Sequence, residues 1–251
     1  MMFNKPMILT KSMVSCYDIC PKRYEFEYVK KAEKVKTTEI ILGLNFHLIS
    51  SQFYSQIDKT TLAQRNDTKK YFDEIIASLV DALNFGKAYQ ESSKDLLELL
   101  NNFTTFEANR WNREKNFDYF FPVLNEVKLH SEKYRLDGVI DRLFKESNGK
   151  HLILEMKTGK YPHYTKSLNG LRRELLIYYL ILIDNGYSID KIGTYFPKIN
   201  DVLIEDITTT MINRTIREVE RIRARIEQGL FPKTESPIAC RYCSFTKLCL
   251  F

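Results

Sequence analysis

Leu136-Asp-Gly-Val-Ile-Asp141-Arg-Leu143, followed closely by Leu152-Ile-Leu-Glu155-Met-Lys157-Thr-Gly159-Lys160, is the stretch that decides the fold. Both halves are strand-like, and Asn148-Gly149 between them signals a hairpin turn because both residues tolerate positive φ. Side chains alternate along a strand, so Glu155 and Lys157 share one face while Leu154 and Met156 take the other. A charged pair at the end of a hydrophobic hairpin needs a partner. A hard divalent cation is suitable, because carboxylates from two strands can share it while both stay ionised. Asp141 and Glu155 are the candidate ligands, and oxygen donors favour Mg2+ or Mn2+. Lys157 is placed to hold or deprotonate a water, or to neutralise charge on a phosphate. An isolated Glu-x-Lys is usually a solvated hairpin face; Gly138-x-x-Asp141 at hairpin distance upstream makes this one informative.

Working outward, Val123, Asn125, Val127 and Leu129 alternate as a strand before the hairpin. Beyond it, 167–184 reads as a helix ended by Asn185-Gly186. Residues 191–197 and 202–207 read as strands joined at Asn200-Asp201, and 208–228 as a charged helix stopped by Gly229. Upstream, 12–28 reads as a short helix capped by Ser12. From 39 to 54, Ile40, Ile41, Leu44, Leu48 and Ile49 recur at helical spacing. Two or three more helices are expected over about 60–113, with stripes at Phe72, Ile75, Ile76, Leu79 and Leu83 and at Leu96, Leu97, Leu99, Leu100 and Phe103. The order predicts an α/β fold, one domain over 1–251 with a helical insertion at about 55–118.

The 251 residues are 44% hydrophobic and 28% charged, which excludes a disordered chain, and 9 Gly with 7 Pro exclude a collagen-like or low-complexity one. A net charge of +6 is compatible with a polyanionic partner. The longest apolar run, 175–183, is far short of the roughly 18–20 residues of a membrane span. No secretory signal is visible at the start, so a cytoplasmic location and no membrane partner are expected. The cysteines sit at the two ends: Cys16 and Cys20, then Cys240, Cys243 and Cys249 across 236–251. In a reducing compartment this points to metal ligation. The three tail thiols need a fourth donor from the N-terminal pair, and spacing alone admits zinc or an iron–sulfur cluster.

The Gly-x-x-Asp and Glu-x-Lys steps resemble the PD-(D/E)xK nuclease superfamily, more narrowly its RecB-like branch, which includes CRISPR-associated iron–sulfur exonucleases. Four further places carry the resemblance across nearly the whole chain. Gly43-Leu-Asn-Phe-His47 matches the branch's Gly-x-x-x-His signature, with Gly43 one turn under His47 so that a cation or strand can approach. Glu174-Leu-Leu-Ile-Tyr178 matches its Gln-x-x-x-Tyr motif except at Glu174, a carboxylate that would need Arg172, Arg173 or another cation beside it. Cys20-Pro21-Lys22-Arg23-Tyr24 matches the N-terminal opening, and Cys240, Cys243 and Cys249 match the C-terminal triplet.

The resemblance implies a restriction-endonuclease-like core, a central mixed sheet flanked by helices, with a cysteine cluster joining the N- and C-terminal segments. It implies a metal-dependent DNA nuclease, an exonuclease acting on single-stranded DNA ends. His47, Asp141 and Glu155, with the Met156 carbonyl, would hold Mg2+ or Mn2+. Lys157 would orient or activate water, and Tyr178 would assist in positioning. Cys20, Cys240, Cys243 and Cys249 would hold a structural [4Fe-4S] cluster in preference to zinc, leaving Cys16 a small buried residue. DNA would meet Lys157, Lys160, Lys166, Arg172 and Arg173, with Tyr161 and Tyr164 stacking on bases. Arg214, Arg217 and Arg221 share a helix face that Glu218, Glu220 and Glu227 partly offset, which reads as a solvated, salt-bridged surface. The competing expectation is a non-catalytic DNA-binding scaffold within a CRISPR adaptation or DNA repair complex.

Overall fold

The computed structural model describes residues 7–34, 37–83, 87–159, 165–241 and 243–249. Strand β3 (Leu136–Lys145) organises a mixed six-stranded sheet. Along one edge β2 (Leu124–Ser131) runs antiparallel, from Leu124 opposite Leu143 to Ser131 opposite Leu136. Two strands share the other edge. The two-residue β1 (Leu9–Thr10) lies parallel to the start of β3, through Leu9–Leu136 and Thr10–Asp137. The antiparallel β4 (His151–Met156) takes its end, from Arg142–Leu154 to Lys145–His151. Between those two pairings, Gly138 to Asp141 face a notch with no strand neighbour among the described residues. Beyond β4 lie β5 (Ile189–Phe196), parallel to it, and β6 (Asp201–Asp206), antiparallel to β5. Gly149 and Gly186 both adopt positive φ, at the hairpin and at the helix end where the sequence places them.

Helices cover both faces, as the α/β reading requires. On one face α1 (Lys11–Ile19), α8 (Thr165–Asp184) and α9 (Thr209–Glu227) bury Val14, Leu175, Ile177, Ile181 and Ile222 against Leu136, Ile140 and Ile153. On the other, α3 (Thr38–Gln52), α4 (Lys59–Gln64), α5 (Thr68–Ala82), α6 (Lys87–Glu114) and α7 (Phe117–Phe120) surround an aromatic core. Phe46, Phe53, Phe72, Phe103 and Phe120 pack there against Phe144, Leu154, Met156 and Tyr195 of the sheet. Among the described residues, no helix is long and apolar enough to cross a membrane.

Alternation along β3 changes phase at Asp141. Leu136 and Ile140 face the first core and Gly138 faces α8, but Arg142 and Phe144 face the second core, with Leu143 returning to the first. Opposite this step, the flanking pairs Asn125–Arg142 and Val127–Ile140 leave Glu126 facing Asp141, and Glu126 holds a positive φ of 53°. A non-glycine residue in that region is strained, and such strain gathers at functional sites.

Three local expectations are corrected. The cap of α1 is Thr10, whose hydroxyl accepts from the Met13 amide at 3.2 Å, because β1 delivers the chain two residues earlier than Ser12. The 12–28 helix is broken: Cys20 is extended before Pro21, as residues preceding proline prefer, and the chain resumes as α2 (Pro21–Tyr24) and a π-helical turn (Glu25–Val29). Of the expected α3 stripe, Ile49 enters the aromatic core with Phe46, but Ile40, Leu44 and Leu48 are 43%, 55% and 42% exposed. The helix is apolar nearly all round, so periodicity alone did not say which side faces inward.

Candidate active site

The notch in β3 is where the motif residues meet. Asp141 stands at the phase change, and one step past the Arg142–Leu154 pair Glu155 lies beside it. The Met156 amide donates to Asp141 Oδ2 at 3.1 Å and locks the two strands together there. From the helical side α3 brings His47. Gly43 permits that approach, since a Cβ on it would lie 3.2 Å from Thr158 Oγ1 just after β4. Arg142, fully buried, fixes the distance from β3 to α3 by donating through Nη2 to the Ser50 carbonyl at 2.7 Å.

His47 sits between Met156 O, 3.1 Å from Nε2, and the carboxylates of Glu126 and Asp141, 3.3 and 3.9 Å from Nδ1. A carbonyl can only accept, so Nε2 carries a hydrogen and donates to Met156. The Nδ1 lone pair of a neutral ring would then face two anionic oxygens, an arrangement that calls for a cation among them. Burial works against a charged His47, but Glu126 and Asp141 outweigh it and raise its pKa. Donor atoms of His47, Glu126 and Asp141 all lie within 4.8 Å of one another. Sequence reasoning missed Glu126: its side chain reaches the site through the unusual backbone at that position.

The second half of the site is built of ion pairs. Glu155 is 3% exposed and its Oε1 meets Lys11 and, at 3.4 Å, Lys157. Lys157 donates to Glu174 Oε2 at 2.5 Å, and Ser15 donates its hydroxyl to Glu174 Oε1 at 2.7 Å. Glu174 therefore pairs with the motif lysine; Arg172 goes to Glu205, and Arg173 to Asp18 and Glu218. Burial opposes the charge on Lys157, yet Glu155 and Glu174 hold its pKa above the usual lysine value. Burial and Glu155 together push Asp141 up, while for Glu155 the lysines Lys11 and Lys157 overcome burial and hold it down. Tyr178 is buried against Gly138, where a Cβ would come within 3.1 Å of its ring, and the Lys11 ammonium lies 4.6 Å from the ring centroid.

A divalent ion fits this donor set. Glu155 Oε2 is buried with no hydrogen-bond partner, and four carboxylates (Glu126, Asp141, Glu155, Glu174) face two ammonium groups (Lys11, Lys157), both statements holding among the described residues. The donors are oxygen plus one imidazole, which suits Mg2+ or Mn2+. The sequence expectation of His47, Asp141 and Glu155 as one ligand set is modified: the close group contains Glu126, and Glu155 is engaged by lysines. The Met156 carbonyl is likewise engaged, by His47.

Past the C-terminal end of α1, which Cys20 caps, Cys20, Cys240, Cys243 and Cys249 line one mainly apolar pocket with Phe26, Thr234 and Phe245. Burial opposes ionisation of Cys20, but hydrogen bonds with Thr234, Arg23 and Lys22 prevail and lower its pKa. Cys16 lies apart. It is buried, donates to Glu27 at 3.7 Å, and is pushed up to about 12 by burial and Glu27. Of the expected DNA contacts, Lys160, Tyr161, Tyr164 and the side chain of Lys166 lie outside the described residues.

The notch, its acids and its lysine are those of a metal-dependent nuclease. The family profile of the PD-(D/E)XK nuclease superfamily matches residues 9–250, and this chain belongs to that superfamily. A comparison with curated proteins finds no match. Among solved structures, SSO0001 aligns with a TM-score of 0.43 and 14% identity over 96% of this chain and 84% of its own. A Eubacterium rectale protein described as "Putative exonuclease" aligns with a TM-score of 0.49 and 14% identity over 95% and 88%.

Proposed function

We propose that the protein is a Mg2+- or Mn2+-dependent deoxyribonuclease that removes nucleotides from single-stranded DNA ends and carries a structural [4Fe-4S] cluster. The observation that carries the reading is the convergence of His47, Glu126 and Asp141 within 4.8 Å, beside Glu155 and Lys157. A bound divalent ion would lower the pKa of a coordinated water and offset charge on the scissile phosphate. His47 Nδ1, Glu126, Asp141 and Glu155 would hold it. Lys157, beside Glu155 and Glu174, orients or activates the attacking water or stabilises the charge that develops on the phosphate. Tyr178 positions the site from beneath, with its ring packed on Gly138. The preference for single-stranded ends is supported by the resemblance of the sequence motifs to the RecB-like branch.

Cys20, Cys240, Cys243 and Cys249 would ligate the cluster, tying the N-terminal helix to the tail; their shared pocket supports this, with zinc as the competing occupant. Such a cross-link restricts a long loop of the unfolded chain and is structural in purpose.

The test is digestion of 5′- and 3′-labelled single- and double-stranded DNA and of circular single strands, with Mn2+, Mg2+ or neither. Metal-dependent loss of mononucleotides from linear single strands, with circles spared and Asp141→Asn inactive, is expected. Binding without metal-dependent products would overturn it in favour of the non-catalytic scaffold.

A further inference from the structure

We infer that Lys11 is a second active-site lysine, which neutralises Glu155 while the divalent site is empty and is released to the scissile phosphate when the ion arrives. The phosphate half rests on the nuclease reading above; the exchange at Glu155 does not.

Its position is fixed by the sheet. Thr10 pairs with Asp137 on β3, and Thr10 then caps α1, so Lys11 leaves the sheet at the first residue of the helix. That point borders the notch on one side, and Glu155, one step past the end of the β4 pairing, borders it on the other. The Lys11 ammonium lies over the Tyr178 ring, 4.6 Å from its centroid, and reaches Glu155 Oε1. A cation at the first position of a helix is of the unfavourable sign for the helix dipole, so the helix itself gives no reason for a lysine there. The carboxylates across the notch do.

Glu155 does not need Lys11 to be paired in the working enzyme. Lys157 already stands 3.4 Å from the same oxygen, and the other oxygen is buried without a partner. A divalent ion that takes Glu155 as ligand must compete with the Lys11 ammonium for it. Once displaced, that ammonium retains its rest on Tyr178 and lies at the notch, beside the place a phosphate bound to the same ion would occupy. Lys157 cannot take that part as freely, because Glu174 holds it. Two cations with different tethers then divide the work: one fixed beside the water, one exchanging between carboxylate and phosphate.

Lys11→Met keeps an unbranched side chain of similar length and removes the charge; Lys11→Arg keeps the charge. Mn2+ binding to the full-length protein, read by electron paramagnetic resonance of free Mn2+, is expected to tighten by about tenfold or more in Lys11→Met and to stay near the wild-type value in Lys11→Arg. A merely structural Lys11 would leave the affinity unchanged or weaken it, and either result overturns the inference. Single-stranded DNA binding with Ca2+ in the site supplies the second readout: the slope of log K against log salt should fall by about 0.7 in Lys11→Met, the loss of one phosphate contact, and recover in Lys11→Arg. An unchanged slope also overturns it. If the wild-type protein binds Mn2+ but neither binds nor cleaves DNA, the nuclease reading fails, and the Mn2+ titration still decides whether Lys11 competes for Glu155.

Discussion

Lys157 donates to Glu174 Oε2 at 2.5 Å, so the lysine of the Glu-x-Lys motif is tied to the one motif position at which this chain departs from its family's usual residue. A glutamine there has one acceptor oxygen in place of two, so it can accept from Ser15 or from Lys157 but not from both, and it carries no charge. In Glu174→Gln, Lys157 loses one of the two carboxylates that raise its pKa, so its ammonium should titrate at lower pH. Activity near neutrality should change only a few-fold, and the alkaline limb of the kcat/KM profile should move to lower pH. An unmoved limb would separate Lys157 from catalysis.

Asp141 is held in an unfavourable place when no cation is bound, because burial and Glu155 both disfavour its charge. Asp141→Asn keeps an acceptor for the Met156 amide and should leave metal-free stability equal or higher. The wild-type protein should gain roughly 2.7 kcal/mol at a Mn2+ concentration 100 times its Kd, and Asp141→Asn should gain little. Thermal melts with and without Mn2+ read this directly, and equal stabilisation of both proteins would remove Asp141 from the ligand set.

Gly138 is required by packing. A methyl group there would lie 2.8 Å from Ile181 Cδ1 and 3.1 Å from Tyr178 Cε1, inside the first core. Gly138→Ala should cost about 1–3 kcal/mol in denaturant unfolding and reduce turnover by displacing Tyr178. Wild-type stability would mean that the contact is soft.

The hairpin, its Gly138-x-x-Asp141 step and the Glu-x-Lys pair were legible because strand period and turn chemistry are local. So was the place of Gly43 beneath His47, where a Cβ would lie 3.2 Å from Thr158 Oγ1. Glu126 and Lys11 were not. Strict alternation puts Glu126 on the face opposite Asn125 and Val127 but says nothing of a positive φ that turns it toward His47. Lys11 reaches the site only because a two-residue strand pairs with β3 far along the chain, and two residues carry no periodic signal. The apolar stripe of α3 was legible only in part: Ile49 is buried, but Ile40, Leu44 and Leu48 are matched in hydrophobicity by the face that packs inward.

The cysteines separate by environment. Cys20→Ser should lose iron and acid-labile sulfide from anaerobically purified protein, whereas Cys16→Ala, away from the shared pocket, should retain both. Retention of a full cluster in Cys20→Ser would name another fourth ligand, and one tightly bound zinc without sulfide would replace the cluster altogether.

The most direct measurement for the whole account is anomalous X-ray scattering from crystals soaked in Mn2+. A peak bounded by His47, Glu126, Asp141 and Glu155 is expected, with Lys11 withdrawn from Glu155, and that peak should be lost in Asp141→Asn. Manganese bound elsewhere, with Lys11 still on Glu155 and the four side chains unliganded, would contradict it.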